Sequence, residues 1–186
     1  MLLKKLFCVI FASIILLCSC STKNEIVGTW EGSYSYVDIN ATNVTYYGIL
    51  GEYVDFTSLS LSFTYEFSKE GTYTLCVDSE KYLAEFTDVI EAAIEKYCQE
   101  HPEESGTHSA SDFIPHGLEE QIASHGCSGK YLFEDGKLYL SYDSELEADK
   151  SSYILCELSG STLTFLEKSD ATVAQSFLYP ATLTKK

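Results

Sequence analysis

The sequence predicts a mainly β chain: an antiparallel up-and-down barrel of about eight to nine strands with a two-helix insertion between strands. Three observations carry that expectation. Apolar and polar residues alternate with period two through several segments, as half-buried strands require. Three pairs of these segments are joined by two- or three-residue loops holding Gly71, Gly136 or Gly160, so neighbours in sequence become neighbours in the sheet. Only about 79–128 changes to helical spacing. Hairpins in succession leave two sheet edges, and a barrel removes them by closing.

Met1–Lys5 carries Lys4 and Lys5, and Leu6–Leu17 is apolar apart from Ser13. That is the layout of a secretory signal. Twelve such residues rise only ~18 Å as a helix, short of the ~30 Å hydrocarbon layer. Leu17-Cys18-Ser19-Cys20 resembles the lipobox of bacterial lipoproteins, with Leu17 three residues before the cysteine and small Ser19 directly before it. The resemblance implies that residues 1–19 are removed and that Cys20 carries palmitate-type acyl chains. It implies a bacterial cell-envelope address, at the outer membrane where the host has one. The alternative is a cleaved peptide with unmodified cysteines. Two chains on one cysteine give stable anchoring, which a single chain does not. Residues 20–25 are then the lipidated cysteine and a short tether, and 26–186 the barrel with its insert at about 79–128.

Formal charge is −16 over the chain, and loss of Lys4 and Lys5 with the signal makes it −18. Arginine is absent from the sequence. A body of this charge, without a bidentate phosphate ligand, is no nucleic-acid binder.

The first strand is expected over Val27–Val37, a weaker one over Tyr46–Val54, and a clear one in 57–68, where Leu59, Leu61, Phe63, Tyr65 and Phe67 share a face. The loop Lys69-Glu70-Gly71, with Gly71 left-handed, pairs Phe67 with Tyr73, Tyr65 with Leu75 and Phe63 with Val77. Asp135-Gly136 reads as a type I′ turn pairing Phe133 with Leu138 and Tyr131 with Leu140. Gly160-Ser161 reads as type II′, pairing Leu158 with Leu163 and Cys156 with Phe165. A last strand falls around Ser176–Thr184.

Gly28-Thr29-Trp30 at the start of the first strand, the hairpin series and the closing Leu183-Thr184-Lys185 resemble the lipocalins and the lipocalin-like domains of bacterial lipoproteins. The resemblance covers roughly 26–77 and 129–186 and implies a barrel open to a small ligand. Lipocalins stack an arginine of the last strand on that tryptophan; here Lys185 or Lys186 must stand in, by a cation–π contact worth ~0.5–1 kcal/mol.

Within the insert, Tyr82, Leu83, Phe86, Ile90, Ala93, Ile94 and Tyr97 recur at helical spacing after Asp78 or Ser79 as N-cap, with Pro102 beyond the end. A short helix near Gly117–Ser124 stops at Gly126. With Tyr46–Val54 counted as a strand, the insert is the fourth-to-fifth connection. It then lies at the N-terminal, membrane-facing end, with the tight turns pointing away. All four histidines fall in this insert. Cys98 and Cys127 bracket all of them and allow a disulfide, free thiols, or a metal site with His101 and His125. Cys76 on the outer face and Cys156 on the inner face cannot pair.

Ser111, Asp112 and His116 are too loose a trio to mark a nucleophile, so the chain reads as a non-enzyme without cofactor. Two functions remain. In the first, Trp30, Tyr34, Tyr36, Phe63, Tyr65, Phe67, Tyr73, Tyr131, Phe133 and Tyr142 line a barrel that binds a small apolar or amphipathic ligand. In the second, those rings fill the barrel, and the protein meets an envelope partner through its insert.

Overall fold

The computed structural model describes residues 25–35, 44–142, 145, 148, 150–168 and 180–186. The signal, Cys20, Tyr36 and Ser176–Tyr179 lie outside them. Eight antiparallel strands close into a barrel in sequence order: β1 (Gly28–Ser35), β2 (Ser60–Phe67), β3 (Thr72–Val77), β4 (Cys127–Glu134), β5 (Lys137–Ser141), β6 (Ile154–Ser159), β7 (Thr162–Lys168) and β8 (Ala181–Lys185). Closure pairs Trp30 with Lys185 and Gly32 with Leu183.

The hairpins have the registers that alternation demands. Phe67 faces Tyr73 and Phe63 faces Val77; Phe133 faces Leu138; Leu158 faces Leu163. Any one-residue slip would have turned each apolar set to solvent. The turns match too. Gly71 has φ 83°, Asp135 and Gly136 have φ 51° and 72°, and Gly160 has φ 60°.

Tyr46–Val54 is not a strand. Val44–Leu50 forms short 3₁₀ turns across a kink at Gly48, whose φ is 52°. Residues three apart fall on one side of such a turn, so Tyr47 and Leu50 are buried together with Phe56 against the helical insert. The ring centroids of Tyr47 and Phe56 lie 6.3 and 5.8 Å from that of Phe86. Tertiary packing overrides the β propensity of this aromatic segment.

The insert therefore joins β3 to β4, and the parity of the barrel reverses. Gly28 at the start of β1, all three tight turns and the end of β8 share one end. The insert occupies the opposite end, beside Ser35, Ser60 and Val77, contrary to the orientation expected above.

Helix α1 (Ser79–Glu100) starts where the Asp78 carboxylate accepts from Lys81 N at 3.0 Å. It buries Tyr82, Phe86, Ile90, Ala93 and Tyr97, one stripe at helical spacing. Helix α2 (Leu118–Ala123) buries Leu118 and Ile122 against it. Tyr34 and Val77 touch both the barrel core and this cap core, so the apolar interior is continuous from one to the other.

Candidate functional site

Most of the predicted interior residues do meet inside the barrel. Trp30, Phe63, Tyr65, Phe67, Tyr73, Tyr131 and Phe133 belong to one buried cluster, with Tyr34 packed at its rim. The rings touch rather than surround a space. Tyr65 stacks on Phe67 at 5.5 Å and meets Phe165 edge-on at 5.6 Å; Phe67 meets Tyr131 at 4.9 Å. A Cβ added at Gly32 would come within 2.8 Å of Phe63 Cζ, so even that position is occupied by a neighbour's ring.

Tyr142 departs from expectation: it follows the last residue of β5, and 48% of it is exposed. Its hydroxyl nevertheless feels Cys127, and burial together with that thiol pushes its pKa up to about 12. Burial, then Cys127, also raises Tyr73, whose hydroxyl lies 3.8 Å from Cys127 Sγ. Leu75, Leu138, Ile154, Cys156, Leu163, Phe165, Ala181 and Leu183 join the same lining. The hairpin register already named Leu163 and Phe165.

One end of the barrel is closed by the Gly-x-Trp element. Trp30 is fully buried and donates from Nε1 to Ile26 O at 2.6 Å. Lys185, its partner across the closing strands, lays Nζ 5.2 Å from the indole centroid. The lysine stem crosses Gly28, where a Cβ would meet Lys185 Cε at 2.8 Å; Gly28 also has φ 129°, which side chains rarely adopt. The glycine thus makes room for Lys185, one of the two lysines expected over Trp30.

The cysteine and histidine residues of the insert do not assemble. Among the described residues, none of Cys76, Cys98, Cys127 and Cys156 is joined in a disulfide; Cys76 is exposed and Cys156 buried. Cys98 stands ~28 Å along α1 from Ser79, whereas Cys127 pairs with Leu75, at most ~20 Å from Ser79. The two Cα atoms are then ~8 Å or more apart, beyond the ~7 Å a disulfide spans. Neither the disulfide nor the Cys98, His101, His125, Cys127 metal set has the geometry it needs. Among the described residues, no three His, Cys, Asp or Glu side chains gather as metal ligands.

His101 instead stacks on Tyr97 at 4.5 Å, and His108 Nε2 meets Glu104 Oε2 at 3.2 Å. Tyr97 donates to the same carboxylate at 3.0 Å. The bonds from His108 and then Tyr97 hold Glu104 below the usual carboxylate range. Asp112 is a turn cap, accepting from Ser109 N at 2.8 Å, which removes the acid from the Ser111, Asp112, His116 trio. Beside this cluster runs a groove of about 540 Å³, floored by Ile94, Cys98 and Ala110 and edged by Glu91, Glu95 and His108.

No family model, curated protein or solved structure matches this chain.

Charge is unevenly placed. Residues 78–126 hold twelve acids against Lys81 and Lys96. At the tight-turn end, Lys69, Lys130, Lys137, Lys150, Lys185 and Lys186 face Glu25, Glu31, Glu66, Glu70, Glu134, Asp135 and Glu157. Lys150 holds Glu134 at 2.7 Å, and Lys186 pairs with Glu31. Among the described residues, no helix is long and apolar enough to cross a membrane.

Proposed function

We propose that this chain is a lipid-anchored bacterial envelope protein, not an enzyme, in which a packed lipocalin-like barrel supports an acidic helical cap that contacts an envelope partner. The observation that carries the reading is the occupied interior: Tyr65, Phe67, Tyr131 and Phe165 touch ring to ring. Cavities that hold drug-sized molecules run to several hundred Å³. To admit one here, those rings would have to part, and burial of their area is much of what folding gains. The Leu17–Cys20 lipobox supports the anchor, and Trp30 under Lys185 supports the lipocalin-like likeness. The competing reading is the small apolar or amphipathic ligand in the barrel.

Native mass spectrometry of the detergent-solubilised protein separates the two. The packed reading expects the mass of the acylated polypeptide alone. A co-purified small molecule, lost together with the fold, would overturn it. Cys20→Ser tests the anchor: the variant should leave the membrane fraction, and retention there would sink the lipidation half.

A further inference from the structure

The anchored chain can meet the bilayer with either end or with its flank, and topology and charge together decide which. We infer that the tight-turn end of the barrel is a lipid-docking surface standing on anionic phospholipid headgroups, with the helical cap directed away; this rests on the anchor proposed above.

Reach excludes the inverted arrangement. Between Cys20 and Ile26, where the buried core begins, lie five residues, ~18 Å at full extension. The eight residues of β1 run ~26 Å, so the tilted barrel stands ~20 Å high. With the cap against the bilayer, the tether would have to climb that height plus the ~10 Å thickness of a helix. It is too short.

Lying on one flank is within reach, and charge decides against it. Screening confines electrostatics to ~8 Å at physiological salt, so only groups at the touching face count, not the whole body's charge. Upright, the touching face is a nearly balanced set of six lysines and, with Glu25 at the root of the tether, seven acids, in which Lys186 pairs with Glu31 and Lys150 with Glu134. On its side the molecule lowers the cap, with twelve acids to two lysines over 78–126, towards anionic headgroups, which repel it. The tight-turn end also carries a groove of about 390 Å³ that brings Lys69 and Lys130 beside Leu132, with Glu70 and the Glu134-paired Lys150 at its edge. Ammonium donors next to an apolar side chain suit the headgroup boundary.

Hydrogen–deuterium exchange on the acylated mature protein, in phosphatidylcholine vesicles with phosphatidylglycerol and in detergent, tests this directly. Exchange should slow several-fold on the vesicles at 68–72, 134–137 and 159–162, with 79–123 unchanged. Slowing across 79–123, or none at the turns, overturns the inference. Combined Lys69→Glu, Lys130→Glu and Lys137→Glu substitutions should leave circular dichroism native and abolish the slowing at the turns; slowing that survives them overturns the role of charge. A mature chain carrying N-terminal hexahistidine on nickel-chelating lipid keeps the tether point without acylation. The same turn protection there upholds the docking surface even where mass spectrometry finds Cys20 unmodified, an outcome that sinks only the anchor.

Discussion

Replacing Lys185 isolates the contact that closes the barrel. Lys185→Met keeps an apolar stem over Trp30 and removes only the charge 5.2 Å from the ring. Its cost is the cation–π term alone, ~0.5–1 kcal/mol at a partly exposed site. Lys185→Ala removes the stem as well and opens the fully buried indole to water. Two methylenes' worth of lost cover, at ~0.8 kcal/mol each, brings the total to ~2 kcal/mol. In a domain of this length that is a fall of roughly 4–8 °C in Tm. The chain has a single tryptophan, so its emission reports the site without labelling. Urea unfolding followed by that emission should rank wild type, then Met, then Ala, with a red-shifted native spectrum only for Ala. Lys185→Arg should hold or exceed wild-type stability, since a guanidinium stacks on an indole better than an ammonium does. Equal losses for Met and Ala would assign the whole effect to charge, and no loss for Ala would refute the closure argument. Gly28→Ala supplies the check from the other side. The clash with Lys185 Cε vanishes in a Lys185→Ala background while the strain of φ 129° persists, so the double variant should recover only part of the loss.

Gly129→Ala should be among the most damaging single substitutions, at ~3 kcal/mol or more, because its Cβ would fall on the Ser141 carbonyl oxygen of the neighbouring strand, and backbone cannot step aside; a near-native thermal melt would refute the β4–β5 packing. Thiol titration of the folded protein should modify Cys76 readily and Cys156 only on unfolding, since burial pushes that thiol up to about 12; a protected Cys98–Cys127 pair that reduction releases would contradict the helix geometry. Stability should decline in alkali. Burial raises Cys156 and Tyr73, so the folded state keeps protons that the unfolded chain releases. Their contribution is complete below the ordinary thiol and phenol pKa values and is lost as pH climbs towards 12. Urea midpoints between pH 8 and 12 measure it, and a flat or rising profile would refute it. Tyr73→Phe should flatten part of the decline.

The strand pairs were legible because each is over-determined. In 60–67 and 72–77 every second side chain is apolar, and a glycine in the loop admits one register. The core stripe of α1 was legible for the same reason at a different period, since Tyr82, Phe86, Ile90, Ala93 and Tyr97 can share only one helical face. The cysteine and histidine spacings carried no comparable constraint. Cys98 and Cys127 are near in sequence logic, at the edges of one insert, but a straight 22-residue helix carries the first far from the rim where the second pairs with Leu75. The filling of the barrel was hidden as well. Alternation says which rings point inward, but not that Tyr65, Phe67 and Phe165 interlock there, because that depends on which strands close on which.

The segment around Gly48 shows how one local ambiguity reaches the level of function. Tyr47, Leu50 and Tyr53 suit a strand by residue type, yet their spacing of three suits a 3₁₀ turn, and the cap offers Phe86 and Tyr97 as partners. In an up-and-down barrel each strand reverses the chain, so one strand more or fewer exchanges the ends for everything downstream. Counted as a strand, 46–54 would put twelve acids against the bilayer and six lysines in solvent. As 3₁₀ turns it leaves the cap at the end away from Gly28, the arrangement on which the proposed docking surface rests. Substituting Gly48 by valine, which cannot adopt φ 52° without strain, should loosen the Tyr47–Phe86 contact and weaken the cap while leaving Trp30 emission native. A variant that loses both together would mean that cap and barrel fold as one unit, as the core shared through Tyr34 and Val77 allows.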